Sequence, residues 1–303
     1  MFIITLEQVI ILSVFIIAGF LLAKCGIADA AHSKTLSALT IYLFLPCLCL
    51  SNFAKNCTPA YLAEKYPIVL LSAGFLALLH FVTPLIAKPF SKNHYEVSIL
   101  RYTLTIPNYG YTGYALCAGL FGELALLDMM IFTLPMAIYT HSYGYNILTK
   151  QDTGKFNMKK LLNPVIIGVL LGCVVGLTGI KLPNVASTII DKAGACTAPI
   201  SMLLAGITIS EFDIKALLTE KRAYIMSFLR LLGIPLVMFA ILKLTGLSSF
   251  LATTMLVFAM PCGMNTIVYP KLIGEDCKLG ASMALISTVL SLVTIPLCIT
   301  FLT

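Results

Sequence analysis

Two asparagines stand beside prolines and glycines in stretches that are otherwise apolar enough for membrane helices. Asn108 lies in TIPNYGYTGY (residues 105–114) and Asn265 lies in AMPCGMNTIVY (residues 259–269). A primary amide in a bilayer costs several kcal/mol when it has no partner. Such an amide either caps interrupted backbone or donates hydrogen bonds to a carboxylate, which the N-termini of half-helices also attract. We favour carboxylate binding.

The residues beside the two amides interrupt a helix and leave room for a second chain segment. Proline lacks the backbone N–H that a helix needs, and glycines let two backbones approach closely. Irregular backbone at membrane depth is tolerated only inside protein or beside a polar cavity, so we expect the two stretches to share one pocket. The predicted substrate-binding residues are Asn108, Asn265, Tyr109, Gly110 and Gly263, and the predicted helix crossover comprises Pro107, Gly113 and Pro261.

The composition places these stretches in a membrane protein. Of the 303 residues, 59% are hydrophobic and 11% are charged, whereas a soluble globular chain carries about 25% charged residues. The formal net charge of +7 comes from basic residues in short loops between apolar runs. That distribution indicates topology and argues against nucleic acid binding. The N-terminus has no signal-peptide pattern, so we expect its first apolar segment to remain as a span.

Ten apolar runs are close to the length of about 20 residues that a helix needs to cross about 30 Å of hydrocarbon. The connecting loops are short and leave no room for an inserted soluble domain. The sequence therefore predicts an all-α membrane protein with ten transmembrane helices. The predicted spans are residues 2–23, 35–54, 66–87, 98–122, 128–148, 163–180, 193–210, 223–243, 249–273 and 279–302.

The basic residues predict the orientation of these spans. Of the 20 lysines and arginines, 14 lie in or beside the loops after spans one, three, five, seven and nine, among them Lys150, Lys155, Lys159 and Lys160. Cytoplasmic loops carry the excess of basic residues, so we expect both termini to be extracytoplasmic. The opposite side holds Lys55, Lys65, Lys181, Lys192 and Lys243, and Arg230 falls inside span eight.

The two halves of the chain resemble each other. VIILSVFIIAGFLLAKCGI (residues 9–27) is similar to VIIGVLLGCVVGLTGIKLP (residues 165–183), and the segment 105–123 has a counterpart at 259–275. The copies are about five spans apart, and an odd number makes the second copy enter the membrane from the opposite side. We therefore predict two inverted five-helix repeats, residues 1–150 and residues 160–303.

The breaks in the two copies lie at similar depths. At 1.5 Å per residue, Pro107 is about 14 Å into span four and Pro261 is about 18 Å into span nine. Both positions are near the middle of the bilayer. Broken helices of inverted repeats that meet at the membrane midplane are typical of the binding sites of secondary transporters.

The same residues resemble the signatures of the auxin efflux carrier family, which includes the plant PIN auxin exporters and bacterial carriers of malonate and related acids. The resemblance covers the whole chain. Asn108, Gly110 and Gly113 are similar to the Asn-x-Gly-x-x-Gly form of bacterial members. The remaining matches are Pro107-Asn108 with Gly113 and Phe121-Gly122, then Pro261 with Gly263 and Asn265, and PISMLLAGITI (residues 199–209), which is similar to the seventh helix of the family.

The resemblance implies a fold similar to that of the bile acid sodium symporters. In that architecture spans four and nine are broken and cross at their prolines in an X. One position departs from the family pattern, because Ala115 stands where the family usually has a proline. We therefore expect the helix geometry just beyond the first break to differ from that of other members.

Other polar residues in the spans have two interpretations. His80 and His141 could bind protons near neutral pH, but a lone intramembrane histidine is more often a hydrogen-bonded structural residue. Tyr109, Tyr111 and Tyr114 could stack on an aromatic ring or hydrogen-bond an acid, but each alone is more often explained by packing with one wet end. Arg230 either needs a partner or a path to water inside the membrane, or simply extends its charged group to the interface.

Motifs for other chemistries are missing from the sequence. There is no Walker GxxxxGK[ST], GxSxG or HExxH motif, and the 10 cysteines show no metal-binding spacing. The 13 acidic residues lie in loops or at the ends of spans, so we predict no carboxylate relay inside the membrane. We expect no enzyme activity, no cofactor and no metal site.

These observations predict a secondary transporter of small organic anions such as carboxylates. We expect it to work by alternating access at the crossing of helices four and nine, in the cell membrane, with efflux as the favoured direction. Its expected partners are the organic anion and the lipid bilayer, and a homodimer is left open. The alternatives are a ligand-binding membrane sensor with the same fold and a proton-coupled organic acid symporter.

Overall fold

The computed structural model describes residues 2–151 and 163–302, and these residues form helices joined by short loops. Within these two ranges there is no β-strand, in agreement with the predicted all-α class. The basic segment that contains Lys155, Lys159 and Lys160 lies outside the described residues.

The helices of the first range begin where the sequence supplies an N-cap. The Asp29 carboxylate accepts the Ala31 N–H at 2.8 Å, and the Asn93 side-chain oxygen accepts the Tyr95 N–H at 2.9 Å. Such caps satisfy N–H groups that have no partner within the helix. The helices are α1 (Phe2–Lys24), α2 (Ala30–Leu39), α3 (Leu45–Asn56), α4 (Pro59–Ala87), α5 (His94–Thr105), α6 (Tyr114–Tyr139) and α7 (Tyr145–Leu148).

The second range follows the same rules. The Asn163 side chain accepts the Ile166 N–H at 3.0 Å, and Pro164 occupies the first helical position, where its missing N–H costs nothing. The helices are α8 (Pro164–Thr178), α9 (Asn184–Ala195), α10 (Thr197–Ser210), α11 (Ile214–Leu218), α12 (Lys221–Phe228), α13 (Ile234–Leu244), α14 (Leu251–Phe258), α15 (Asn265–Leu272) and α16 (Lys278–Leu302).

Several of these helices continue into one another through a π-helical turn. The four π turns in the described ranges join α2 to α3, lead into α6, join α6 to α7, and join α12 to α13. Single π turns inside α-helices are frequent at functional sites. The four turns found in the described part of this chain are Thr40–Phe44, Tyr109–Gly113, Thr140–Gly144 and Leu229–Gly233.

Seven helices in the described ranges are long and apolar enough to cross a membrane. The predicted spans that are not among them are shorter or interrupted. Helix α8 has 15 residues, which is about 22 Å of helix, and predicted span nine is divided between α14 and α15. The seven helices are Phe2–Lys24, Ala30–Asn56, Pro59–Phe90, Tyr109–Leu148, Asn184–Ser210, Lys221–Leu244 and Lys278–Phe301. Ten separate spans remain a prediction.

The helical segment Tyr109–Leu148 is interrupted at one glycine. Gly122 has φ 79° and ψ −171°, a backbone conformation that only glycine adopts without strain. The interruption coincides with the predicted end of span four at residue 122. A segment of 40 residues is therefore not one continuous straight helix.

The first packing group brings α1 against α10 and α3 against α8. A Cβ atom added at Gly19 would lie 2.2 Å from the Leu203 carbonyl oxygen, and one at Gly206 would lie 2.0 Å from the Ile16 carbonyl oxygen. Along α8, Gly168, Gly172 and Gly176 face the backbone of α3 in the same way: added Cβ atoms would lie 2.5, 2.8 and 2.5 Å from its carbonyl oxygens. Small residues allow this close approach of membrane helices.

The second packing group surrounds Phe258 at the end of α14. The Phe258 ring centroid is 5.8 Å from that of Phe75 on α4 and 5.9 Å from that of Phe132 on α6. Both pairs have edge-to-face geometry, which aromatic pairs prefer. Helix α5 packs on α4, and α16 packs on α12. Both helix breaks described below lie in this group.

Candidate functional site

The first break follows α5. Ile106 is extended, with φ −112° and ψ 113°, and Asn108 is not helical, with φ −79° and ψ 57°. The cause is Pro107, since proline disfavours helical backbone at the preceding residue and supplies no N–H of its own. The chain becomes helical again at the π turn Tyr109–Gly113, which leads into α6.

The second break separates α14 from α15. Helix α14 ends at Phe258 and α15 begins at Asn265, so residues 259–264 lie between them. Pro261 is in this connection, as the sequence predicts for the interruption of span nine. The second break is therefore longer than the first.

The two breaks are in direct contact. The backbone N–H of Asn108 donates to the carbonyl oxygen of Pro261 at 2.9 Å, and Pro107 and Cys262 pair as an isolated antiparallel bridge. The Cys262 N–H donates to the Ser287 hydroxyl of α16 at 3.0 Å. Backbone groups that lose their helical partners at one break are thus satisfied by the other break and by a neighbouring helix.

The side chain of Asn108 is used close to its own break. Its exposed fraction is 6%, and its amide nitrogen donates to the Thr112 hydroxyl at 3.0 Å. The backbone carbonyl oxygen of Asn108, not its side chain, accepts the Gly113 N–H at 3.0 Å. In this state the Asn108 amide bonds to a side chain of its own turn and caps no backbone group. Donation to a substrate stays a prediction.

Asn265 connects its break to the opposite half-helix. Its amide nitrogen donates to the hydroxyl oxygen of Tyr102, a buried residue of α5, at 2.9 Å. The Tyr102 hydroxyl lies 3.5 Å from the Thr140 hydroxyl. Asn265 itself is half-buried. Tyr102 had no sequence signal, because nothing in its neighbourhood indicates that it lies opposite residue 265.

The tyrosines after the first break have different environments. Tyr114 is buried, and its hydroxyl lies 2.7 Å from the Thr133 hydroxyl, which supports the packing interpretation. Tyr109 and Tyr111 are half-buried. The Tyr109 ring is tilted against Tyr114 at a centroid distance of 5.8 Å. Tyr109 is therefore the predicted site tyrosine with a partly exposed ring beside the break.

The glycines near the breaks are not equivalent. A Cβ atom at Gly113 would lie 2.5 Å from Met129 Cε and 3.3 Å from Met260 Cγ, and Met260 belongs to the second break. A Cβ atom at Gly263 would lie 3.6 Å from the Pro107 carbonyl oxygen, which is ordinary contact. At Gly110 the nearest atom would be a Leu45 methyl group at 4.0 Å. The tightest approach is thus at Gly113, and Gly110 has space beside it.

Arg230 is the main functional candidate that the sequence interpretation missed. Of its two interpretations, extension to the interface is wrong, because its exposed fraction is 0%. It lies in the π turn between α12 and α13, donates from Nη1 to the Leu104 carbonyl oxygen at 3.1 Å, and donates from Nε to the Met260 carbonyl oxygen at 3.3 Å. Its guanidinium carbon lies 5.7 Å from the Phe258 ring centroid. Arg230 therefore touches both breaks.

The two intramembrane histidines are hydrogen-bonded. His141 Nδ1 lies 3.3 Å from the hydroxyl of Tyr269 on α15, the helix that Asn265 begins. His80 Nδ1 lies 3.2 Å from the Tyr139 hydroxyl and 3.1 Å from Arg101 Nη2. His141 is thus beside the second break, and His80 belongs to a separate cluster between α4, α5 and α6.

Acidic side chains are paired near the ends of the helices. Arg222 at the start of α12 contacts Glu96 of α5 at 2.7 Å and Glu220 at 2.8 Å. Its hydrogen bonds hold the pKa values of both carboxyl groups below their usual range. Asp191 of α9 contacts Lys55 at 2.7 Å. In the described ranges no group of three or more His, Cys, Asp or Glu residues is arranged to hold a metal ion.

Comparison with known proteins identifies the family. The chain matches the family described as "Membrane transport protein" over residues 4–299. It belongs to this family. An uncharacterized transporter of Methanocaldococcus jannaschii is 26% identical over 307 residues, with 97% of each chain covered. An uncharacterized transporter of Methanothermobacter thermautotrophicus is 24% identical over 297 residues, with 96% of each chain covered.

The family match confirms the resemblance to the auxin efflux carrier family. The chain is accordingly a multi-pass membrane transporter and not an enzyme.

Proposed function

We propose that this membrane transporter exports small organic anions, such as carboxylates, by alternating access at the contact between its two helix breaks. The observation that carries this proposal is the hydrogen bond from the Asn108 N–H to the Pro261 carbonyl oxygen at 2.9 Å. It holds two interrupted helices together inside the protein, and interrupted membrane helices line polar sites.

The electrostatics of the contact favour an anion. The π turn that leads into α6 begins at Tyr109, and α15 begins at Asn265, so two helix N-termini start beside the contact. Each N-terminus carries about half a positive elementary charge and stabilises a nearby anion by roughly 0.3–1 kcal/mol at an exposed surface. Asn108 and Asn265, with Tyr109, Gly110 and Gly263, are the proposed binding residues.

The helix packing supports the proposed inverted repeats, residues 1–150 and 160–303. Helix α1, the first of the first repeat, packs on α10 of the second repeat, and α8, the first of the second repeat, packs on α3 of the first. A pseudo-twofold relation produces this reciprocal pairing. With α5 and α6 as a broken span four, and α14 and α15 as a broken span nine, the same relation supports ten spans in a fold like that of the bile acid sodium symporters.

The two packing groups give alternating access a physical basis. The group of α1, α3, α8 and α10 is held by backbone-to-backbone glycine contacts, so it acts as the scaffold in this proposal. The group around Phe258 carries both breaks and moves against that scaffold. The excess of basic residues in alternate loops supports extracytoplasmic termini in this arrangement.

One observation favours a second candidate, proton-coupled symport of an organic acid. His141 is half-buried and lies 3.3 Å from the Tyr269 hydroxyl, on the helix that begins with Asn265. A histidine beside an anion site can carry the proton that accompanies the anion. In that case flux follows the pH gradient.

The test is uptake into proteoliposomes, with radiolabelled acetate, benzoate and indole-3-acetate as monoanionic probes. We expect transport to be electrogenic and independent of sodium. A membrane potential of 100 mV changes the free energy of one transported charge by about 2.3 kcal/mol. With the inside negative, this corresponds to roughly fiftyfold accumulation of a monoanion on the outside. Transport that strictly requires sodium, or a flux that does not change with a membrane potential set by valinomycin, contradicts electrogenic, sodium-independent transport. Flux that follows pH supports the symporter, and binding without flux supports a sensor.

A further inference from the structure

Arg230 lies where the negative ends of two half-helices converge. Leu104 belongs to the last turn of α5, and Met260 follows the end of α14. A helix C-terminus carries about half a negative elementary charge, because its last carbonyl groups have no helical donor. In a continuous helix the Asn108 N–H would donate to Leu104, but here it donates to Pro261. Arg230 Nη1 takes its place at the Leu104 carbonyl.

The position is costly for an arginine. Burial of a guanidinium costs several kcal/mol unless partners compensate it. Among the described residues no carboxylate forms an ion pair with Arg230, and its third nitrogen, Nη2, is buried without an acceptor. The two carbonyl oxygens and the Phe258 ring are attractive to a cation but carry no net charge. The contact between the breaks therefore retains a full positive charge.

Resting on the proposed function, we propose that Arg230 is a positioning residue that acts as the fixed cation of the two breaks. Its guanidinium holds the carbonyl ends of α5 and α14 together. Its charge offsets the negative ends of α5 and α14 and leaves the positive ends of α6 and α15 uncompensated, so the contact between the breaks selects anions. The free Nη2 supplies two more N–H groups for water or for a bound carboxylate.

Arginine suits this role better than lysine. A guanidinium has donors fixed in a planar fork, so Nε and Nη1 reach two carbonyl oxygens that belong to different helices. Carbonyl oxygens are also the ligands that hard metal cations prefer. A tethered charge at this position removes the need for a bound metal cation between the two helix ends.

The first test uses guanidinium itself. Arg230→Ala leaves a cavity with two carbonyl acceptors, and we expect this variant to melt at a lower temperature than the wild type in detergent. Guanidinium chloride at low, non-denaturing concentration, compared with choline chloride at the same ionic strength, should raise that melting temperature saturably. Lys221→Ala is the matched control, because Lys221 lies on the same continuous helix and is exposed, so its removal leaves no buried acceptors. It and the wild type should show no rise.

A melting temperature of Arg230→Ala that does not respond to guanidinium overturns the proposal. This measurement needs no transport activity, so it remains decisive even if none of the probe anions is carried. The proposed function and the role of Arg230 can therefore fail separately.

The second test covers the case in which Arg230→Ala does not fold. Arg230→Met fills the same volume without charge, and Arg230→Lys keeps the charge without the fork. We expect the rate of benzoate uptake by Arg230→Met to fall about tenfold or more, because the loss of one hydrogen bond to a charged group has an effect of this size. The uptake rate of Arg230→Lys should lie between those of Arg230→Met and the wild type. A well-folded Arg230→Met variant with the uptake rate and half-saturating benzoate concentration of the wild type overturns the proposal.

Discussion

The two helix breaks use the same residue types in different ways. At the first break Asn108 is buried and its amide donates to Thr112, four residues further along the chain. At the second break Asn265 is half-buried, and its amide donates to Tyr102 on the half-helix before the other break. The first asparagine stabilises its own turn, whereas the second connects the two interrupted helices.

This difference indicates a division of labour. A local bond between two side chains can be exchanged for a bond to a ligand without moving a helix, because donor and acceptor belong to one turn. The hydrogen bond between Asn265 of α15 and Tyr102 of α5 breaks when the distance between the two half-helices changes. Asn108 is thus the better candidate for direct substrate binding, and Asn265 for linking binding to movement.

The largest expected effect is that of Asn108→Ala. If Asn108 donates to the substrate carboxylate, the variant loses a hydrogen bond to a charged group, worth about 1.5–3 kcal/mol. That corresponds to roughly ten- to hundredfold weaker binding, measured as the dissociation constant of benzoate for purified protein.

Thr112→Val is the matched control for this prediction. It removes the acceptor of the Asn108 amide and leaves the amide in place. We expect unchanged or slightly tighter binding. If Asn108→Ala binds with wild-type affinity, or if Thr112→Val weakens binding equally, Asn108 has only a local structural role.

Two glycines next to the first break provide a second contrast. Gly113→Ala places a Cβ 3.3 Å from Met260 Cγ and 2.5 Å from Met129 Cε, and overpacking of this kind costs about 1–3 kcal/mol. Gly110→Ala has no atom nearer than 4.0 Å and gains roughly 0.5–1 kcal/mol because alanine favours helical backbone. Reversible unfolding in mixed micelles should rank Gly110→Ala above Gly113→Ala in stability. Equal stabilities would mean that Met260 moves away without cost.

The sequence was sufficient for features with local causes. The interruptions at Pro107 and Pro261 were predicted from a proline with a nearby glycine at matching positions of two similar segments, and Gly122, whose backbone angles only glycine adopts without strain, lies at the predicted end of span four. The membrane class followed from composition, and the family followed from motifs at these same residues. None of these inferences required knowledge of which helices are neighbours.

The features that the sequence did not predict depend on packing between distant segments. Arg230 lies 126 positions from Leu104, whose carbonyl it binds, and a hydropathy pattern does not distinguish a buried arginine from one that reaches the interface. Tyr102 likewise meets Asn265 only through the fold. Gly113 and Gly110 are equally plausible contact residues in the sequence, and only the position of Met260 separates them.

The smallest expected effect concerns the bond between the breaks. Asn265→Ala, Tyr102→Phe and the double variant form a double-mutant cycle, which isolates the energy of the bond from the other effects of each change. Hydrogen bonds between membrane helices contribute about 0.6 kcal/mol on average and up to about 1.7 kcal/mol, and we expect a coupling energy in this range from reversible unfolding. Additive effects would show that the bond is not formed in the dominant state of the protein.

The cycle of Asn108→Ala with Thr112→Val is the comparison within a single break. If the coupling of Asn265 to Tyr102 changes on addition of benzoate while that of Asn108 to Thr112 does not, Asn265 is the residue that links binding to helix movement.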